Sequence, residues 1–172
     1  MEQFNPEIES ELIAALKEFN ELIISMNETQ LNTPPSKGSW TAGQLARHVI
    51  KVNSSFLKQL KGPFKETNRK HDEQVENIKN ILLNFNTKLS SPDPVVPEII
   101  NYKKEDLLNQ LIDLNNEFMQ SVKSSDMTKT CLLFEIRLFG YLTRLEVVYF
   151  VLYHTERHIH QLKNIIKCIE TN

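Results

Sequence analysis

Two histidines near the C-terminus, His154 and His158, have a spacing that could support metal chemistry. Residues four apart lie one turn apart on the same face of an α-helix. The face that carries this pair is apolar on both sides, with Val151 before it and Ile165 after it. Two imidazoles arranged in this way can each donate a ring nitrogen to one divalent metal ion. The pair therefore predicts part of a metal site.

A third histidine, His48, interrupts a second apolar helical face, between Leu45 and Val52. If the two helices face each other, His48 completes a set of three ligands and leaves at least one coordination position open, as catalytic metal sites do. The alternative is a core role. A single histidine on an apolar face is usually a hydrogen-bonded core residue, and a four-residue spacing also arises by chance.

The histidine spacing does not name a reaction. Zinc peptidases of the HExxH type carry a glutamate directly after the first histidine, whereas this chain has Thr155 there, so a peptidase is disfavoured. Three neutral imidazoles would leave the full charge on a divalent ion, beside which a thiol or a water loses its proton near neutral pH. A thiol would serve S-transfer and a water would serve hydrolysis, and the sequence does not choose between them.

Three residues near the pair are candidate supporting groups. Gln161 follows His158 by three residues and could hydrogen-bond a ligand, a water or a ring nitrogen, or could have no such role. Tyr153 and Arg157 flank the same face and could contact substrate, although surface packing is the simpler expectation for both. His160 lies about 160° around the helix from His158 and is expected to face solvent.

Four long helices are predicted to position these side chains, because apolar residues recur at helical spacing in four segments. Capping signals precede three of them: Asn5-Pro6, Thr41 with Gln44, and Thr143 with Glu146. The predicted helices span residues 6–27, 42–60, 104–122 and 144–169. Trp40 is expected to pack where the second helix begins, and Cys168 to lie in the core on the inward face of the last helix.

The connections between these helices are unequal in length. Residues 29–39 contain Pro34-Pro35 and predict a loop. Residues 68–89 predict an exposed helix within a long crossover, residues 90–97 an irregular proline-rich stretch, and residues 124–140 a second connection. We therefore expect one all-α domain over residues 1–172, a four-helix bundle with long crossover connections.

Composition excludes several classes of function. The chain has 172 residues, 40% of them hydrophobic and 24% charged, with a net charge of −2, so it offers no basic face for nucleic acid. Its two cysteines form no CxxC pair, which favours reduced thiols in a cytoplasmic protein. The N-terminus lacks the pattern of a signal peptide, and no apolar stretch is long enough to span a membrane.

Two segments carry a family resemblance. Residues 39–50 read SWTAGQLARHVI, and residues 149–166 read YFVLYHTERHIHQLKNII. The first resembles the start of the second helix in DinB-like proteins, the group that includes the YfiT-type bacillithiol transferases, and the second resembles their last helix with its HxxxHxxQ pattern. Two positions depart from the family pattern: Val147, where an aromatic residue is common, and His160, where a small residue is usual.

The resemblance implies a four-helix bundle with a three-histidine site for Zn, Ni or Fe, formed here by His48, His154 and His158. It also implies a metal-dependent enzyme that uses a low-molecular-weight thiol on a small electrophile, a thiol S-transferase or a related hydrolase, and a homodimer. Many members of the family have no assigned reaction. Two alternatives therefore stay open, a non-catalytic bundle that binds metal or a small ligand, and a structural interaction protein.

Overall fold

The computed structural model describes residues 5–171, so the first four residues and the last one of the expected 1–172 domain lie outside the described part. The sequence supplies six helices and two very short strands within that range. A single 3₁₀ turn covers Asp93–Val95. The elements are α1 (Pro6–Ser25), α2 (Glu28–Asn32), α3 (Ala42–Lys61), β1 (Phe64–Lys65), α4 (Val75–Leu82), α5 (Lys104–Ser124), β2 (Thr130–Cys131) and α6 (Arg144–Glu170).

Four of these helices form a bundle, which confirms the predicted fold. Helix α1 packs against α5 and α6, and α3 packs against the same two helices, so the order around the bundle is α1, α6, α3, α5. Each helix buries one apolar stripe, as amphipathic helices do when they enclose a common core. The largest fully buried side chains include Leu12, Phe19, Leu45, Leu111, Phe118 and Leu152.

The crossover between α3 and α5 is less helical than predicted. Instead of a helix over residues 68–89, only Val75–Leu82 is helical, and α4 packs against α6. Before it, the chain is held by an ion pair from Arg69 to Glu146. After it, the carbonyl oxygens of Leu82 and Asn84 accept hydrogen bonds from Arg157, at 3.0 Å each. Contacts with α6 therefore replace the helical hydrogen bonds that the apolar stripe predicted.

The connection between α5 and α6 is partly extended. β1 and β2 pair antiparallel, with Phe64 opposite Cys131 and Lys65 opposite Thr130. Strands of two residues are too short for an alternating pattern, so the sequence carried no signal for them. Further along, Ile136 bridges to Gly140, whose positive φ of 68° closes a tight turn. Two connections of the bundle thus meet in a small sheet.

Two smaller expectations were wrong. The predicted loop over residues 29–39 begins inside the short helix α2, capped by Asn27 and Gln30 in a capping box, whereas helix α1 ends at Ser25, within two residues of its predicted end. Cys168 is exposed rather than buried, because the buried stripe of α6 passes through Leu162 and Ile165 and leaves Cys168 on the solvent side.

Within residues 5–171, no helix has both the length and the apolar character that crossing a bilayer requires.

Candidate metal centre

Helix α3 begins with the predicted capping box. The Thr41 side chain accepts a hydrogen bond from the backbone of Gln44, and the Gln44 side chain accepts one from the backbone of Thr41. This fixed start sets the rotation of the helix, and His48 falls on its buried face with 4% exposure. The ring of Trp40, just before the cap, lies 5.2 Å from the His48 ring. Trp40 therefore contacts the histidine face as well as the start of the helix.

Helix α6 begins with the second predicted capping box, formed by Thr143 and Glu146. The Glu146 carboxylate is completely buried and also accepts hydrogen bonds from Nη1 and Nη2 of Arg69, at 2.6 Å each, and from the backbone of Gln74. The start of α6 is thereby tied to the chain before α4. Two turns further on, His154 and His158 are both buried.

The three imidazoles converge through one nitrogen each. Nε2 of His154 lies 3.3 Å from Nε2 of His48 and 3.0 Å from Nε2 of His158. Candidate ligand atoms of all three residues lie within 4.8 Å of one another. Nitrogens bound to one metal at 2.0–2.1 Å are separated by about 2.9 Å at a right angle and about 3.4 Å at the tetrahedral angle. The two separations from Nε2 of His154 thus match edges of a metal coordination polyhedron.

The outer ring nitrogens fix where the protons are. Nδ1 of His48 lies 2.8 Å from the carbonyl oxygen of Val95, which can only accept, so Nδ1 donates. Nδ1 of His158 donates to Oε1 of Gln161 at 2.9 Å. In the neutral rings both Nε2 atoms are therefore unprotonated and carry lone pairs directed at His154. One proton on Nε2 of His154 can satisfy only one of them, whereas a shared cation accepts all three lone pairs, so the residues fit a divalent metal.

Burial keeps these imidazoles uncharged. Desolvation is the largest cause in each case: it lowers the pKa of His48, lowers that of His158 to about 3, and lowers that of His154 well below its ordinary value. Neutral imidazoles are the form that binds metal. Nδ1 of His154 is buried and has no hydrogen-bond partner among residues 5–171. The ring is thus held by packing and by its Nε2 contacts.

Acidification is expected to destabilise the metal-free protein. The unfolded chain binds a proton at His158 near pH 6.5, whereas the folded chain binds it only near pH 3. The contribution of neutral His158 to the free energy of unfolding is therefore complete above pH 6.5 and declines as the pH falls. Between pH 7.5 and 5.5 this residue alone should remove about 1 kcal/mol from the free energy of unfolding. Urea unfolding with a chelator at the two pH values measures it. His158→Gln should show a smaller pH dependence, and equal dependence in both proteins would contradict the assignment.

The candidate supporting residues lie in different places. Gln161 is exposed, yet its side chain accepts from His158 and orients that ring. Arg157 donates to the carbonyl oxygens of Leu82, Asn84 and Thr87, so it anchors the crossover. Tyr153 packs against Tyr149, and burial raises its pKa to about 12. Among the described ring contacts, that of Tyr153 is with Tyr149 and not with an imidazole.

Two further residues contact the histidines and were not among the predicted site residues. The carbonyl oxygen of Val95 belongs to the proline-rich stretch, and a backbone acceptor for His48 cannot be read from residue types. Phe150 stacks on His154, with ring centroids 5.8 Å apart and an angle of 20°; its helical position, one turn before His154, could have indicated this contact. His160 is exposed as expected, and its ring stacks on Phe85 with centroids 4.1 Å apart.

Comparisons with known proteins agree with the fold. A sequence search against curated proteins returns no match. Among solved structures, TT2238, a four-helix bundle protein, is 20% identical with a TM-score of 0.59, over 92% of this chain and 97% of that one. YfiT from Bacillus subtilis, described as a probable metal-dependent hydrolase with an unusual four-helix bundle topology, is 15% identical with a TM-score of 0.59, over 99% of this chain and 92% of that one. The family model of the DinB superfamily matches residues 11–162, and this chain belongs to that superfamily.

Proposed function

We propose that this protein is a metal-dependent enzyme that transfers a low-molecular-weight thiol to a small electrophile, with hydrolysis as the alternative use of the same site. The observation that carries the proposal is the convergence of His48, His154 and His158 through Nε2. No carboxylate is among the described partners of these rings, so the ligand set is neutral. When bound, a divalent metal (Zn, Ni or Fe) supplies Lewis acidity that lowers the pKa of a thiol or water beside it.

The protein's own residues would hold the metal ion and orient the imidazoles that bind it. Val95 and Gln161 fix the tautomers and ring planes of His48 and His158, so both rings present Nε2 without reorganisation. Burial of the three rings would limit water around an ion held there, which would strengthen electrostatic interactions with it. YfiT, which has the same fold, is described as a probable metal-dependent hydrolase. That description supports metal-dependent chemistry at this site but does not favour S-transfer or hydrolysis.

A non-catalytic metal-binding protein is the second candidate. It is supported by the groups around the imidazoles, because Arg157 and Lys51, whose charges act on these rings, respectively hold the crossover and pair with Glu98. No carboxylate is among the described hydrogen-bond partners of the three rings to act as a general base. A thiol nucleophile needs less assistance from such a base than water does, so the same observation favours S-transfer over hydrolysis.

Elemental analysis followed by a turnover assay tests the proposal. Purified wild-type protein should carry about one divalent metal per chain, and His48→Ala should carry far less. The loaded protein is then assayed with a panel of thiols and chlorodinitrobenzene, in which a C–S bond forms and chloride leaves. Turnover should fall at least about 100-fold in His158→Ala and persist in His160→Ala. Absence of metal from wild type would overturn the proposal, and metal without turnover would favour the non-catalytic candidate.

A further inference from the structure

Aromatic rings border the three histidines on two sides. On α6, Phe150 stacks on His154, and Phe56 of α3 packs on Phe150 with ring centroids 4.5 Å apart. On the other side, Trp40 contacts His48. A ligand bound beside the imidazoles therefore has aromatic rings as neighbours within one helical turn.

The connection before α6 extends this surface. Phe134 lies 5.9 Å from Phe56, and Phe139 lies 6.2 Å from Phe150, both edge to face. The backbone of Phe134 is held at both its N–H and its carbonyl by the side chain of Gln59, which is fully buried. We call Phe56, Phe134, Phe139 and Phe150 the aromatic wall. Phe56 is buried, whereas the other three are half-buried and so leave part of each ring uncovered.

The cations whose charge acts on the histidine rings are already engaged. Arg157 donates to three crossover carbonyls, and Lys51 donates to the carbonyl of Val96 and pairs with Glu98 at 2.7 Å. A charged group on a ligand would have to displace these contacts. An aromatic group would instead cover exposed ring surface and gain edge-to-face or stacked contacts. The described surface beside the histidines therefore selects for apolar rings.

We infer that the substrate taken by this site carries an aromatic group, which packs on the aromatic wall while its reacting atom lies at the three imidazoles. The inference rests on the proposed function, because it places the reacting atom at the metal centre. Phe150 and Phe139 are the specificity-determining residues, because both are half-buried and their rings contact each other. Phe150 also touches a metal ligand, which makes the wall continuous with the site.

Thiol binding to the cobalt-loaded protein tests this inference, with phenylmethanethiol and ethanethiol as probes and the visible cobalt spectrum as readout. Wild type should bind phenylmethanethiol at least about tenfold more tightly. In Phe150→Leu the ratio of the two affinities should fall towards the value expected from the larger size of phenylmethanethiol alone. The same fall is expected in Phe139→Ala, which alters only the connection before α6. Phe85→Ala, which removes a half-exposed ring that stacks on His160, should keep the wild-type ratio.

The outcomes distinguish failure of the aromatic-substrate inference from failure of the proposed function. If wild type takes up cobalt and binds both thiols with equal affinity, or if the ratio is the same in all variants, the aromatic-substrate inference is wrong while the proposed function stands. If wild type takes up no cobalt, both are wrong. Circular dichroism of Phe150→Leu checks that α6 remains folded, and Phe139→Ala supplies the same comparison independently.

Discussion

Zinc is expected to stabilise the folded protein strongly, and His154→Ala is expected to abolish that effect. A ligand that binds the native state alone adds about 4 kcal/mol to the free energy of unfolding when its free concentration is 1,000 times Kd. His154 is the central ring of the cluster, because its Nε2 lies within 3.3 Å of both other Nε2 atoms. Removing it leaves two of the three imidazole ligands, so zinc at the same concentration should add little to the free energy of unfolding.

The measurement is urea unfolding of each protein with chelator and with buffered zinc. The quantity compared is the change in the free energy of unfolding that zinc causes in each protein. This comparison is needed because His154→Ala also removes buried packing and lowers stability without metal. His160→Ala is the matched control: it lies on the same helix, is exposed, and should keep the full zinc effect. Equal stabilisation of His154→Ala and wild type would show that zinc binds elsewhere.

The helical part of the fold was predictable because its signals are local. Two capping boxes, Thr41 with Gln44 and Thr143 with Glu146, form as predicted, and they fix where α3 and α6 begin. A fixed start together with 3.6 residues per turn determines which residues face inward. This is why His48, His154 and His158 could be placed on inward faces before any contact between the helices was known. Their ring centroids lie between 4.3 and 5.3 Å apart.

The connections were less predictable because long-range contacts shape them. The stripe of residues 68–89 predicted a long helix, but Arg157 takes the carbonyls at one end and Glu146 takes donors at the other. The proline-rich stretch supplies the Val95 carbonyl to His48, a contact between residues 47 positions apart. None of these partners is adjacent in sequence, so no periodicity reveals them. The expected homodimer and small-molecule substrate remain predictions for the same reason.

Cys168 shows how a local signal fails near a helix end. It lies seven residues after Gln161, which places the two on nearly one face, and both are exposed. The expectation of a buried Cys168 assumed that the face of His154 and His158 stays inward along the whole helix. Ile165, which shares the face of His154 and His158, is still buried, whereas Cys168 lies with Gln161 at the edge of that face. No residue from 166 to 170 is buried, so the last turn of α6 adds nothing to the core and its apolar residues give no signal of burial.

Loss of the buried Glu146 carboxylate is expected to destabilise the protein more than loss of any surface charge. Glu146 is fully buried and accepts hydrogen bonds from the Arg69 guanidinium and from the backbones of Gln74 and Thr143. In Glu146→Gln the side chain has one oxygen and presents an amide N–H₂ to groups that also donate. Breaking a buried ion pair from one side costs about 3–5 kcal/mol. For a chain of this size that corresponds to a fall in Tm of about 6–20 °C.

Glu98→Gln is the matched control for thermal and urea unfolding. Glu98 also pairs with two cations, Arg47 and Lys51, but its side chain is 45% exposed. Water can replace the lost partner there, so the cost should be below about 1 kcal/mol. Because Glu146 ties the start of α6 to the chain before α4, Glu146→Gln should also loosen the helix that carries His154 and His158, and its zinc affinity should fall. A loss no larger than that of Glu98→Gln would mean that packing, not this ion pair, holds the start of α6.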